Sequence, residues 1–286
     1  MDENIYLLFI VIVLMIIYKN IKKIYIPKII WSYWDNVDTM PELVKDILIN
    51  RQEKLTNYTQ YFISEETIHQ WIKPEEYPKN YFSLIKPHQA DWIRLYLLKK
   101  YGGIWIDCGI IINSVSELNK IYNFANNNKD ELTCFYLEGL CIDKDPTTFI
   151  ENWFIMAPKN SRIINKWYDE FTYAIEVGFL EYKFELLNMN INVSHVYIYG
   201  DDDVYLTMHA AMQKILQLKM IDNPRIKLYK AEDAMYKIQV DCNWDNFCIA
   251  DTLKTNKIKT IPFIKLRSTD RSNVSIIDLF SNIIKY

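Results

Sequence analysis

The side chains of this 286-residue chain that could bind a ligand or take part in a reaction lie mainly in one short stretch, residues 86–113. Asp91 and Arg94 stand three positions apart, so a helix would make them neighbours on one face. Asp107 follows directly behind the apolar residues 104–106. An arginine fork suits a ligand with polar groups, and a carboxylate is a hard oxygen ligand for a hard cation. Together these side chains predict a site for a polar ligand.

The elements around these residues are predicted to bring them together. The spacing of Ala90, Ile93 and Leu97 predicts a helix from Gln89 to Lys100. Gly102 and Gly103 follow, and glycine takes the left-handed conformation that a helix C-cap needs. Residues 104–106 then form a short strand that ends at Asp107. Since ligands of open parallel sheets bind beyond the carboxyl ends of the strands, Asp107 is expected at the ligand.

A purely structural interpretation of each residue stays open. Asp91 and Arg94 could form a surface ion pair worth a few tenths of a kcal/mol, and Asp107 could cap a turn. For any one of the three residues alone, this is the simpler explanation. Their order and spacing over one continuous stretch favour a functional site.

The pattern along the rest of the chain predicts an α/β fold. The N-terminal half alternates strand, helix, strand and helix, which implies a parallel sheet. The predicted strands span residues 28–34 and 58–64, and the predicted helices begin near Pro41 and Glu65. Beyond Asn113 the pattern is less regular, with predicted helices at 161–174 and 203–218 and a last strand at 261–266. No domain boundary is evident after residue 26.

Composition limits the classes of function. The formal charge of −3 and the sequence pI of about 5.9 supply no basic field, so a nucleic-acid partner is not expected. The five cysteines show no CxxC spacing, and reduced thiols are the preferred interpretation.

The N-terminus is predicted to be a membrane anchor, and a helix lying in the membrane interface is the alternative. Residues 5–18 are apolar or Tyr, and lysines follow at 19, 22 and 23. Because basic residues flanking a span stay in the cytosol, we expect a single-pass anchor with the catalytic domain on the cytosolic side. The chain thus divides into residues 1–25, the anchor with its basic flank, and residues 26–286, one catalytic domain.

Residues 90–107, ADWIRLYLLKKYGGIWID, resemble the "DxD" sugar-binding region of glycosyltransferases. The likeness is to the capsular-polysaccharide-synthesis and yeast initiating mannosyltransferase relatives, whose pattern is SDxxRxxxLxxxGGxYxDxD. Residues 26–34 resemble the first strand of that family, IPKIIHQxW. Residues 150–158 resemble the segment over the sugar, and residues 262–266 resemble the closing strand of the capsular branch.

The resemblance implies a GT-A fold, which is a Rossmann-like domain with a mostly parallel sheet and flanking helices. It implies a retaining, hexosyltransferase-like enzyme that moves a sugar from a nucleoside diphosphate sugar to a hydroxyl of a glycan, protein or lipid, with Mn²⁺ or Mg²⁺ as cofactor. On matching positions, Trp34 would stack on the donor base, and Asp91 and Arg94 would hold the ribose and sugar. Asp107 would bind the metal as the first carboxylate of the motif, and Asn152 would face the sugar.

One position departs from the family pattern. The motif reads Asp107-Cys108-Gly109, so its second carboxylate is absent. Residues 201–203, three aspartates, are a possible substitute, but they precede an apolar helical run and are preferred as helix-capping residues. His209 is predicted to be a hydrogen-bonded core histidine, and His88 is a weaker candidate for touching the donor.

Two rival functions stay open. The missing carboxylate suggests a catalytically inactive relative that keeps the fold as a binding or scaffold protein. A metal-dependent hydrolase built on residues 201–203 would need a further cluster of histidines or acids, which the sequence lacks.

Overall fold

The computed structural model describes residues 25–197 and 203–272. The predicted anchor therefore lies almost entirely outside the described residues, and the predicted boundary at residue 26 stays a prediction. Within the described ranges, no helix combines the length and the apolar character that crossing a membrane requires.

Strands form a large central sheet and a small second sheet. In chain order the strands are β1 (Ile29–Tyr33), β2 (Thr59–Ile63), β3 (Gly103–Ile106), β4 (Ile110–Ile112), β5 (Leu132–Tyr136), β6 (Ile150–Ala157), β7 (Ile226–Lys230) and β8 (Phe263–Lys265). The central sheet is mixed and has six strands in the order β2-β1-β3-β6-β5-β7. β1, β2 and β3 are parallel, which confirms the expected parallel arrangement of the N-terminal half. β6 runs antiparallel to both β3 and β5, and β7 is parallel to β5. The small sheet pairs β4 with β8.

Helices cover both faces of the large sheet. The helices are α1 (Glu42–Lys54), α2 (Lys86–Tyr101), α3 (Val115–Asn128), α4 (Arg162–Val177), α5 (Phe179–Asn188), α6 (Thr207–Gln217), α7 (Lys237–Asp241), α8 (Asn246–Leu253) and α9 (Ser268–Ser272). Side chains of β3 alternate between the faces: Trp105 packs into the core beneath α2, α4 and α6, whereas Ile104 and Ile106 pack into a second core with α3. Short 3₁₀ turns occupy Ile68–Gln70, Pro74–Glu76, Tyr81–Ser83, Glu138–Leu140, Ile142–Lys144, Pro146–Thr148 and Asn256–Thr260.

The turn between α2 and β3 forms as the sequence predicts. Gly102 has a φ of +70°, and its N–H donates to Leu98 O at 2.9 Å. Gly103 has a φ of +110°, and a Cβ added there would lie 2.6 Å from Ile29 O in the neighbouring strand. Glycine at this position allows β3 to pair closely with β1 and fixes the point where Asp107 emerges.

Three predicted elements differ from the structure. The helix expected from Glu65 is absent, and 3₁₀ turns up to Ser83 replace it, since Pro74 and Pro78 disfavour helical residues before them. The helix expected from residue 203 begins at Thr207. The last strand is shorter than predicted and lies in the small sheet with β4.

The expectation of five reduced cysteines is wrong. Cys242 and Cys248 form a disulfide between α7 and α8, while Cys108, Cys134 and Cys141 are free thiols. The six-residue separation follows no recognised pairing motif, so the bond depends on how these helices fold together. The expected cytosolic location rests partly on reduced cysteines, and the disulfide removes that part of its support.

Candidate active site

A cavity of about 510 Å³ opens at the carboxyl end of β1 and β3. Such a volume suits a small-molecule ligand. All five residues predicted for the site line it: Trp34, Asp91, Arg94, Asp107 and Asn152. The structure therefore brings the five predicted residues together at one cavity, while their roles stay predictions.

Asp91 and Arg94 form a buried ion pair rather than a surface pair. Arg94 Nη1 donates to Asp91 Oδ1 at 2.6 Å, and both residues are more than nine-tenths buried. Asn152, on the neighbouring strand β6, donates from Nδ2 to the same oxygen at 3.0 Å. Removal of either residue would leave the other as an unpaired buried charge, which costs free energy. This network fixes three polar side chains at the floor of the cavity.

His88 lies behind this network. Its Nδ1 is 3.6 Å from Asp91 Oδ2, and its ring contacts Phe179 and Tyr205. The suggestion that it touches the donor gains no support, since it is not among the lining residues of the cavity.

Asp107 lies at the end of β3 and is held by three donors. Trp105 Nε1 donates to Oδ1 at 2.8 Å, Arg94 Nη2 donates to the same oxygen at 3.3 Å, and Lys265 Nζ donates to Oδ2 at 3.1 Å. Burial by itself would raise the pKa of the Asp107 carboxyl, but the charges of Lys265 and Arg94 hold that pKa below its ordinary value. Asp107 is therefore ionised at neutral pH.

Two basic residues near the C-terminus of the described chain complete the site, and sequence reasoning did not identify them. Lys265 lies on β8 and pairs with Ile110 of β4, the strand that follows Asp107 in the chain. Arg271 lies on α9, and its guanidinium is 5.9 Å from the ring centre of Trp34. The resemblance at residues 262–266 was a signal for this strand, but it did not show which side chains face the cavity.

An acid–histidine pair, Glu151 and His209, also lines the cavity. His209 Nε2 is 3.6 Å from Glu151 Oε2, and both side chains are buried. No described residue hydrogen-bonds either ring nitrogen of His209. His209 is buried, as predicted for a core histidine, but the hydrogen bond expected of it is not found among the described residues, and its ring faces the cavity and Glu151.

The aspartates at 201–203 fall only partly within the described chain. Asp201 and Asp202 lie outside it. Asp203 does not cap α6, since its Oδ1 accepts from Tyr205 N at 3.0 Å and Leu206 occupies the N-cap position. The capping interpretation is wrong for Asp203.

The described residues do not fit a divalent metal. Among residues 25–197 and 203–272, no group of three or more histidine, cysteine or acidic side chains could hold an ion. Lys265 and Arg94 already occupy the two carboxylate oxygens of Asp107. The expected Mn²⁺ or Mg²⁺ stays an untested prediction that the arrangement of these side chains disfavours.

Two curated proteins are similar to one half of the chain. The O-glycosyltransferase braB of Annulohypoxylon truncatum is 27% identical over 161 residues, which cover 50% of this chain and 37% of that protein. The O-glycosyltransferase PaGT of Phomopsis amygdali is 22% identical over 161 residues, which cover 50% of this chain and 38% of that protein. The matched part thus spans little more than a third of these relatives.

Two solved structures are similar at low superposition scores. A glycosyltransferase involved in the glycosylation of the major capsid of PBCV-1 has 13% identity and a TM-score of 0.38, over 86% of this chain and 96% of that one. The PaToxG glycosyltransferase has 17% identity and a TM-score of 0.35, over 90% of this chain and 86% of that one. At these scores neither likeness is evidence for the family or the function of this protein.

The family model described as "Capsular polysaccharide synthesis protein" matches residues 12–247, which include the segment from Asp91 to Asp107 and Asn152. This match covers most of the chain and agrees with the relationship that the sequence motifs indicate. The protein belongs to the capsular polysaccharide synthesis protein family.

Proposed function

We propose that this protein is a glycosyltransferase that moves a sugar from a nucleoside diphosphate sugar to a hydroxyl group. The observation that carries the proposal is a set of hydrogen-bonded polar side chains in one cavity: Asp91, Arg94, Asn152 and Asp107. Carboxylate, guanidinium and amide groups in fixed positions suit the several hydroxyls of a ribose and a sugar. Membership of the family and the similar O-glycosyltransferases support the same reaction.

The residues that line the cavity support one orientation of the proposed donor. Trp34 offers a partly exposed indole at one side of the cavity, where a base would stack. The Asp91–Arg94–Asn152 network lies deeper and would bind the sugar. Between them, Asp107, Lys265 and Arg271 surround the space for the diphosphate.

We propose transfer with retention of the anomeric configuration. Retention is what the resemblance to the family implies. Asp91 is held by Arg94 and Asn152, and Asp107 is held by Lys265, so neither carboxylate is free to act as a covalent nucleophile. Direct front-face transfer is therefore the proposed route. In direct front-face transfer, the bond from the anomeric carbon to the phosphate oxygen breaks and a bond to the acceptor oxygen forms. The acceptor proton passes to the leaving phosphate.

A thermal-shift panel of nucleotide sugars tests the proposal. Uridine or guanosine diphosphate sugars should raise the melting temperature of the full chain, since a ligand that binds only the folded state stabilises it. Arg94→Met should lose that shift, while Lys120→Met, at an exposed residue of α3, should keep it. If no nucleotide sugar shifts the melting temperature, the proposed donor is wrong.

Turnover distinguishes the enzyme from an inactive relative. The substitution of glycine for the second carboxylate of the motif favours the inactive alternative. Release of nucleoside diphosphate from a bound donor, with sugar recovered on an acceptor or in water, would support the enzyme. Donor binding without release under any acceptor condition would support a binding protein instead.

A further inference from the structure

Asp107 already has a cation beside it, and the chain itself supplies that cation. The pairing of β8 with β4 places Lys265 opposite Ile110, and Leu266 N donates to Gly109 O at 2.9 Å. Lys265 Nζ thereby reaches Asp107 Oδ2 at 3.1 Å with a side chain only 12% exposed. This ammonium occupies the carboxylate oxygen on which a metal ion would depend.

The position of the missing second carboxylate is occupied as well. A Cβ added at Gly109 would lie 2.8 Å from Arg271 Nη1 and 2.9 Å from Leu266 O, which is closer than real Cβ contacts. Arg271 is fixed there, since its Nη1 donates to Leu266 O at 2.8 Å. A longer side chain at residue 109 is therefore incompatible with Arg271 in this position.

The segment that carries Arg271 is anchored by its own ion pair. Arg267 and Asp270 are joined by hydrogen bonds as short as 2.6 Å, and Gln239 Nε2 donates to Asp270 Oδ2 at 3.0 Å. Asp270 is almost completely buried. These contacts position α9 so that Arg271 stands at the mouth of the cavity beside Trp34.

We propose that Lys265 and Arg271 replace the divalent metal ion, so that this transferase binds and activates its donor without a metal. The inference rests on the proposed function. The diphosphate of a donor carries about two negative charges, and two fixed cations in a partly closed site balance them. A divalent ion placed between Lys265 and Arg271 would be repelled by both.

In the transfer step these two residues act on the leaving group. When the bond between the anomeric carbon and the phosphate oxygen breaks, its electron pair stays on that oxygen. The Lys265 ammonium and the Arg271 guanidinium stabilise the added charge through charge-assisted hydrogen bonds. The acceptor oxygen forms the new bond, and its proton ends on the diphosphate, so atoms and charge balance without a further reactant.

Calorimetric titration of the full chain with UDP, GDP, ADP and dTDP tests the inference. With EDTA present, at least one diphosphate should bind, and millimolar Mn²⁺ or Mg²⁺ should change its Kd by less than about twofold. If a diphosphate binds only with metal, or at least tenfold tighter with it, the inference is overturned while the proposed function stands. If none of the four binds under either condition, both are overturned.

Variants of Lys265 and Arg271 test whether these side chains bind the diphosphate or only support the fold. In EDTA, Lys265→Met and Arg271→Met should each weaken binding of the same diphosphate by about tenfold or more, and Lys265→Arg should recover most of the loss. Lys120→Met is the matched control, since it removes an exposed lysine outside the cavity. If Lys265→Met and Arg271→Met bind the diphosphate as tightly as the control does, or if Arg271→Met alone does so where Lys265→Met does not fold, the two cations do not bind the diphosphate and the inference is overturned.

Discussion

The ammonium of Lys265 donates a 3.1 Å hydrogen bond to the carboxylate of Asp107, although 158 positions separate the two residues in the chain. Asp107 ends a strand of the large sheet, and Lys265 lies on the small sheet. The contact therefore joins the motif-bearing N-terminal half to the C-terminal segment. In the proposed mechanism this contact gives Asp107 a role that the motif alone does not suggest, which is to position a cation at the diphosphate.

Asp107→Asn should abolish most activity. The change keeps the size of the side chain but removes the charge that pairs with Lys265 and Arg94. Lys265 then loses the carboxylate that holds it, whereas Arg94 keeps its bond to Asp91. We expect kcat/KM for donor turnover to fall by about 100-fold or more, as for the loss of a main electrostatic group in an active site. Asp169→Asn, at an exposed carboxylate paired with Lys99, is the control and should stay close to wild type. Full turnover by Asp107→Asn would contradict the role given to this residue.

Gly103→Ala should destabilise the fold. Its φ is +110°, and the added Cβ would meet Ile29 O at 2.6 Å, so β1 and β3 must separate. We expect a loss of about 2–4 kcal/mol in the free energy of unfolding, measured by denaturant titration. Gly178→Ala also has a positive φ, +93°, but nothing lies within 4 Å of its Cβ, and it should cost about 1 kcal/mol. Equal losses in the two variants would show that the strand contact is unimportant.

Thiol titration checks the disulfide. The unfolded, unreduced protein should react at three cysteines, Cys108, Cys134 and Cys141, and the reduced protein at all five. Peptide mapping without reduction should recover Cys242 linked to Cys248. Five reactive thiols before reduction would contradict the bond and restore the argument for a reducing compartment.

Acid should loosen the C-terminal segment through Asp270. Burial by itself would raise the pKa of the Asp270 carboxyl, but hydrogen bonds from Arg267 and Gln239 hold the pKa below its ordinary value. A pKa lowered by folding contributes stability that is present above the unfolded pKa, about 4, and is lost as the pH falls through the folded pKa. The free energy of unfolding should therefore fall below about pH 4, and less steeply in Asp270→Asn than in the exposed control Asp38→Asn. Identical slopes would contradict this linkage.

The sequence predicted the features of this fold that depend on neighbouring residues. Gly102 ends α2 as expected, α4 forms close to the predicted bounds 161–174, and Asp107 emerges at the end of β3. Each depends on a local backbone preference or on hydrophobic spacing that a few residues reveal.

The features that the sequence did not predict depend on contacts between distant segments. Lys265 reaches Asp107 only because β8 pairs with β4 in one register, and a shift of one residue would turn its side chain to the other face. His209 faces Glu151 through the packing of α6 against β6, and Cys242 meets Cys248 through the fold of two short helices. Helical or strand periodicity carries no information about such pairs.

A structure of the full chain with a bound nucleoside diphosphate sugar, grown with EDTA, tests the central claim most directly. The account predicts the base against Trp34, the diphosphate within hydrogen-bond distance of Lys265 and Arg271, and the sugar against Asp91, Arg94 and Asn152. A donor bound outside this cavity, or one bound with its diphosphate away from both cations, would contradict it.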